Sequence, residues 1–184
     1  MAANWQGMES ALKTYFENQD KPNTPASFTE VGNKIATEYK NAISTATDQV
    51  GNLVTNASAV MSIGPLFAAE FIALMGGAAP NFGPVVAGVT TANMGLLLAF
   101  AIPDPSSTPS GMTIGITNVM TFGGTGSVSK YKKAFEMKGD MTAAKSAERI
   151  TNALKEHFNG NKTLLSGTVP GTPPIPATKI GSLS

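Results

Sequence analysis

The chain has 184 residues, of which 42% are hydrophobic and only 14% charged, and its formal net charge at pH 7 is +1. Because soluble domains usually carry about 25% charged residues, a chain with so few charges solvates its surface poorly. The near-neutral balance without a basic run argues against a nucleic-acid-binding surface, and the absence of cysteine excludes disulfides and thiolate metal sites. At this length one domain with a full core is expected.

The first predicted element is a short amphipathic helix over residues 4–19. Its apolar side chains recur at steps of three and four, which places them on one face; they are Trp5, Met8, Leu12, Tyr15 and Phe16. A Pro-containing linker up to residue 25 ends the helix. No basic segment followed by an apolar run begins the chain, so we expect no secretory signal. The helix is expected to dock on a core or on a neighbour.

A second helix is predicted from a capping box, in which Ser27 and Glu30 would satisfy free backbone N–H groups at a helix start. Apolar residues then continue with a helical repeat from Val31 to Val60, and Gly51 is the expected weak point. A stripe of this length favours a bundle or a coiled-coil-like seam.

Two apolar blocks, residues 58–79 and 85–102, form a predicted helical hairpin joined by a turn at 80–84. The first block is long enough to span a bilayer. Three features argue against a membrane-spanning hairpin: the interruption at Gly64-Pro65, the carboxylate of Glu70 and the lack of an aromatic belt. Buried or interface helices are therefore favoured, and a transmembrane hairpin is the alternative.

Glu70 is the only ionisable residue between residues 52 and 102. Among apolar neighbours, a carboxylate is expected either to be protonated, with a raised pKa, or to be paired with a hydrogen-bond donor from another element or another chain. Lys40 and Lys130 are candidate donors. The other interpretation places Glu70 on the exposed stripe of a partly buried helix.

The segment from residue 103 to 111 is predicted to be extended, because its prolines prevent a helix. Residues 112–122 alternate weakly, which leaves a short strand and a third apolar helix as alternatives. The Gly-rich residues 122–127 lack the Lys-Ser/Thr pair of a phosphate loop and are expected to form a flexible turn. A short helix with a solvated lysine cluster is expected from Lys130 onward.

The last predicted helix begins at an Asp140 cap and ends at Asn159-Gly160. His157, near its end, is expected to be satisfied by solvent. Beyond it, the Pro-rich tail is expected to be disordered or to lie as an extended strap over a partner. Because His157 is the only histidine and no Gly-x-Ser-x-Gly elbow occurs, we expect no catalytic site, no metal and no cofactor.

Two segments, residues 28–43 and 144–158, have the pattern Phe-x-x-Val-Gly-x-x-Ile-Ala and Ala-x-x-Ala-x-x-Ile-x-x-Ala-Leu. They resemble a helix that recurs in small structural proteins of tailed-phage virions and of phage-tail-like contractile particles. In those proteins Gly/Thr-rich and Pro-x-Pro sequence follows the helix, as residues 167–176 do here. The resemblance implies a non-enzymatic virion or tail component, located in the particle and assembled in the host cytoplasm.

The sequence thus predicts a mainly α protein: a helical bundle around the charge-poor hairpin, with at most a short β segment near 112–122 and an extended C-terminal strap. Three regions are expected: an N-terminal helix and linker (1–25), a helical core (26–160) and the tail (161–184). The predicted function is a structural subunit that binds copies of itself and other particle proteins; the alternative is a holin-like or pore-forming membrane protein. The expected interface residues are Trp5, Tyr15, Phe16, Glu70, Phe82, Pro173, Pro174 and Pro176.

Overall fold

The computed structural model describes residues 2–19, 24–47, 53–96, 113–121, 126–136, 142–169 and 175–182. Within these ranges the protein is mainly α-helical, which confirms the predicted fold class. The α-helices are α1 (Trp5–Glu17), α2 (Pro25–Ile43), α3 (Gly64–Met75), α4 (Gly83–Met94), α5 (Gly126–Ala134) and α6 (Ala143–Asn159), and a 3-10 helix (Ala57–Ile63) precedes α3. Three strands complete the described fold: β1 (Thr113–Thr121), β2 (Asn161–Val169) and β3 (Ile175–Ser182).

Helix α1 forms where its apolar repeat predicted it. The side chain of Asn4 caps it by accepting the backbone N–H of Gly7 at 2.9 Å. Met8 and Leu12 are buried, and the helix packs against α6 and α2. The apolar face of α1 therefore lies on the core of its own chain.

Helix α2 differs from its prediction at both ends. It starts at Pro25 behind a Thr24 cap, and the capping box joins Thr24 to Ser27, so the predicted box between Ser27 and Glu30 is wrong. Proline at the first helical position favours the earlier start, because its φ is preset for a helix and no N–H is lost. The helix ends at Ile43, well before Gly51, which lies outside the described residues.

Hydroxyl groups explain the early end of α2. The Ser44 hydroxyl donates to the Asn41 carbonyl at 2.7 Å, and the Thr45 hydroxyl donates to the Ala2 carbonyl at 3.1 Å. Such side-chain bonds compete with the helical ladder. The apolar repeat predicted from Val31 to Val60 extends beyond the end of α2. Its last residues lie on the 3-10 helix, which packs on α2 and buries Ala57, Val60 and Ile63.

The predicted hairpin is present as α3 and α4, and both helices are shorter than the apolar blocks. Helix α3 of the hairpin approaches α2 closely at Gly32. A Cβ added to Gly32 would lie 2.3 Å from the carbonyl oxygen of Gly64. Within the hairpin, Gly88 of α4 faces Leu66 of α3, whose Cδ1 would lie 2.1 Å from an added Cβ. Glycines therefore set the spacing of these helices. The end of the second block, residues 97–102, lies outside the described residues.

An aromatic cluster fills the core where α3, α4 and α5 meet. The rings of Phe82 and Phe135 stack with centroids 4.9 Å apart, and Phe67 lies 5.5 Å from Phe135. Tyr131 joins the cluster from α5 and is fully buried. Stacked and tilted rings at these distances add to the free energy gained from burial alone.

The strands form one antiparallel sheet in the order β1-β2-β3. Thr121 of β1 pairs with Asn161 at the start of β2, and Lys162 of β2 pairs with Ser182 of β3. Residues 112–122 were predicted to form either a short strand or a third apolar helix. Strand β1 lies within this segment, so the strand is the correct alternative. It packs against α4, and β2 follows α6 directly after Gly160.

The sheet contains more β structure than the single short segment expected. Strands β2 and β3 lie in the tail predicted to be a strap, so part of that tail pairs with its own chain. Strand β2 contains no proline and can donate N–H groups to both neighbours, whereas Pro176 lies on β3, an edge strand where a missing N–H is tolerated. The intervening Pro-rich residues 170–174 lie outside the described residues.

Candidate functional site

The exposed residues of the range 57–96 share one property: none carries a formal charge. The largest exposed side chains are Met61, Met75 and Met94, which are 36%, 47% and 51% exposed. The other exposed residues are alanines, glycines, prolines, serines, one threonine and one asparagine. We call these exposed residues together the uncharged surface.

Glu70, the one ionisable residue in that range, is turned inward and is 8% exposed. Its Oε1 accepts the backbone N–H of Asn81 at 2.6 Å. Glu70 is therefore paired with a hydrogen-bond donor, as one of the predictions had it, and the interpretation as an exposed stripe residue is wrong. The donor is neither of the two candidate lysines: it belongs to the turn between α3 and α4, and Lys130 pairs with Glu156. The carboxylate fixes this turn and leaves the exposed surface around it without charge.

The other residues expected at an interface lie in different places. Trp5 stacks on Tyr39 and meets Phe158 edge to face, and Phe82 is 1% exposed, so both contribute to the core of their own chain. The remaining described ones are placed as follows: Phe16 packs against the core, the ring of Tyr15 lies 5.9 Å from the Lys34 ammonium, and Pro176 belongs to β3. Pro173 and Pro174 lie outside the described residues. Their contacts with other subunits stay a prediction.

His157 joins three helices, which the sequence did not indicate. It is 4% exposed, so the prediction of a solvent-satisfied histidine is wrong. From α6 its Nε2 lies 2.9 Å from the Thr90 hydroxyl of α4, and its Nδ1 lies 3.2 Å from the Tyr131 hydroxyl of α5. Burial lowers the pKa of His157 to about 4, because the charged imidazolium would lose its hydration.

A second buried polar contact ties α4 to α2. The Tyr39 hydroxyl donates to Oδ1 of Asn93 at 2.8 Å. Burial raises the pKa of Tyr39 and of Tyr131, which keeps both hydroxyls protonated as donors. Thr90 and Asn93 are one helical turn apart, so α4 is held on one side by polar links to α2 and α6, and His157 extends the second link to Tyr131 of α5.

The described residues hold no group of three His, Asp or Glu side chains with the spacing of a metal site. Of the clefts on the described surface, one lies between the α3–α4 turn and α5 and another between α5 and α6. His157 and Glu70 line neither of them. The buried polar contacts therefore connect helices within the fold.

One continuous helical segment within the described ranges has the length and composition to cross a membrane. It is Ala57–Met75, the 3-10 helix together with α3, and 39% of its most apolar window is buried inside the protein. Core helices of soluble proteins satisfy the same criterion.

The sequence has no significant match to a protein-family model, to a curated protein or to a solved structure. A function is therefore proposed from the geometry described above and from the sequence pattern.

Proposed function

We propose that this protein is a non-enzymatic structural subunit that assembles with copies of itself and with other proteins of a phage or phage-tail-like particle. The uncharged surface is the observation that carries the proposal. Large exposed apolar patches usually mark association sites, and Met61, Met75 and Met94 are the large apolar side chains that this surface exposes. The resemblance of residues 28–43 and 144–158 to helices of particle proteins supports the choice of a particle and a location in the virion.

None of the residues of the uncharged surface carries a charge of its own that would be desolvated on burial between subunits. Its exposed methionines, Met61, Met75 and Met94, are flexible and adapt to an irregular partner surface. Each apolar Å² removed from water stabilises association by about 25 cal/mol before the losses of freedom on binding are counted. Inward-turned Glu70 removes the one charge that would oppose such burial.

The mass of the protein in detergent-free solution tests this proposal. We expect a defined oligomer by light scattering, and we expect Met75→Glu with Met94→Glu to lower its mass, because two carboxylates would be buried without partners. Ser10→Glu, at an exposed position of α1, is the control and should leave the mass unchanged. A wild-type monomer at all concentrations would contradict the proposal.

The second candidate function is a membrane-active protein, favoured by the apolar helical segment Ala57–Met75. Flotation with lipid vesicles separates the two proposals. A structural subunit stays in the aqueous fraction as an oligomer, whereas a membrane-active protein floats with the vesicles or needs detergent to remain dispersed.

A further inference from the structure

A cleft of about 650 Å³ lies between the α3–α4 turn and α5. The turn contributes Ala79, Pro80 and Phe82, and α5 with the residues after it contributes Lys132, Lys133 and Phe135. Ligand pockets in proteins typically range from about 300 to about 1,000 Å³, so several side chains of a partner could enter.

The floor of the cleft is apolar. Its apolar lining includes Leu74 at the end of α3 and Phe135, and the ring of Phe135 stacks on the buried ring of Phe82 with an interplanar angle of 14°. The turn that closes the other side is fixed by the hydrogen bond from Asn81 to Glu70. Both walls are therefore set by the packing of the subunit itself.

Two exposed lysines stand at the rim of this floor. Lys130, on the same helix, pairs with Glu156, but no ion pair joins Lys132 or Lys133 to an acidic side chain among the described residues. One carboxylate, that of Glu136, also lines the cleft, and it already has an interaction partner. Among the described residues, the cleft thus offers an apolar surface next to two lysines without an ion-pair partner and one carboxylate, that of Glu136.

We propose that this cleft binds a short segment of a neighbouring protein subunit that carries apolar side chains and at least one carboxylate. The partner's place in a particle rests on the proposed function. Charge complementarity selects the carboxylate, because unpaired lysines attract acidic groups and repel basic ones. The concave shape selects a protein segment over a membrane, since a flat bilayer surface does not fill a cleft whose walls rise on two sides.

Binding of fluorescently labelled peptides to the full chain, followed by anisotropy, tests the cleft. One peptide alternates leucine with aspartate, and its matched partner alternates leucine with lysine. We expect saturable binding of the leucine–aspartate peptide only. Lys132→Glu with Lys133→Glu should weaken it about tenfold or more, because two attractive charges become repulsive. Ala79→Glu, which places a carboxylate in the cleft at an exposed position, should weaken it too.

The control variant reverses two lysines outside the cleft, Lys13 and Lys40, with the same change in net charge. It should bind the leucine–aspartate peptide like the wild type, and circular dichroism verifies that all variants fold.

Equal binding by the two double variants, or equal binding of both peptides, would overturn the proposal. So would binding to phosphatidylserine vesicles that depends on Lys132 and Lys133 without peptide binding. A chain that is monomeric yet binds the peptide contradicts the assembly function and leaves the cleft proposal standing.

Discussion

A neutral imidazole suits the site of His157. One ring nitrogen can donate and the other can accept, and the hydroxyls of Thr90 and Tyr131 can each do either. Protonation would place a charge in a site that is 4% exposed. Among the charged groups on the neighbouring helices, Lys130 and Glu156 are paired with each other at the surface. The site therefore stabilises the neutral form.

This arrangement predicts a loss of stability in mild acid. The folded-state pKa of about 4 lies below the ordinary value of 6.5, so between these values the unfolded chain binds the proton more readily. The contribution is complete above about pH 6.5 and falls by about 3 kcal/mol as the pH decreases through that window. Urea unfolding of wild type and His157→Gln from about pH 7 to about pH 4.5 measures it. Parallel pH profiles for the two proteins would show that His157 is not responsible.

Glu70 provides a second prediction for a single residue. In Glu70→Ala the backbone N–H of Asn81 loses its acceptor, and we expect the free energy of unfolding to decrease by about 1–2 kcal/mol. Glu70→Gln keeps an acceptor oxygen in nearly the same place and should cost clearly less. Urea unfolding of both variants at neutral pH distinguishes them. Equal losses would mean that the charge, rather than the hydrogen bond, matters.

The crossing of α2 over α3 depends on the absence of a side chain at Gly32. Helix propensity alone would favour alanine there by about 1 kcal/mol. A Cβ at this position would meet backbone atoms, the Gly64 oxygen at 2.3 Å and the Ala68 nitrogen at 2.9 Å, so the helices would have to separate. We expect Gly32→Ala to destabilise the protein by about 1–3 kcal/mol.

Gly88→Ala is the matched control for that prediction. Its added Cβ would meet only the flexible side chain of Leu66, which can change rotamer. Thermal unfolding should therefore show a larger decrease in Tm for Gly32→Ala than for Gly88→Ala. The reverse order would show that the α2–α3 contact can relax.

The helices could be predicted from the sequence where local signals were sufficient. The apolar repeats of α1 and α6 and the terminating Gly160 mark those helices to within a few residues. The start of α6 is capped by Thr142, which takes the role expected of Asp140; the latter lies outside the described residues. The end of α2 was not predicted, because the apolar repeat continues beyond it. The later part of the repeat belongs to the 3-10 helix, which packs on α2.

Residue pairings that are distant along the chain could not be predicted from the sequence. The role of His157 depends on Thr90 and Tyr131, which no local pattern connects to it. The acceptor role of Glu70 was foreseen from its apolar neighbours, but its donor is a backbone group in a turn. Strands β2 and β3 were not predicted, because the prolines and glycines of the C-terminal tail indicated an unpaired segment.

At the scale of the whole molecule, β3 is joined to the described fold by its pairing with β2. It is an edge strand that pairs with β2 alone. Deletion of residues 170–184 should therefore leave the helical circular dichroism signal nearly unchanged. If the C-terminal residues contribute to assembly, the same deletion lowers the oligomer mass measured by light scattering. An oligomer of unchanged subunit number would restrict the association to the uncharged surface.

Trp5 is the only tryptophan of the chain, and its ring centroid lies 5.6 Å from that of Phe158, more than 150 residues further along. Helix α1 can meet Tyr39 of α2 as soon as α2 is made, but its contact with Phe158 has to wait until α6 has been made. Contacts between such distant residues form slowly compared with local ones. The fluorescence of this one natural residue therefore responds to the docking of α1 on α2 and on α6, and the difference between wild type and Phe158→Leu would isolate the contact with α6 without an added label.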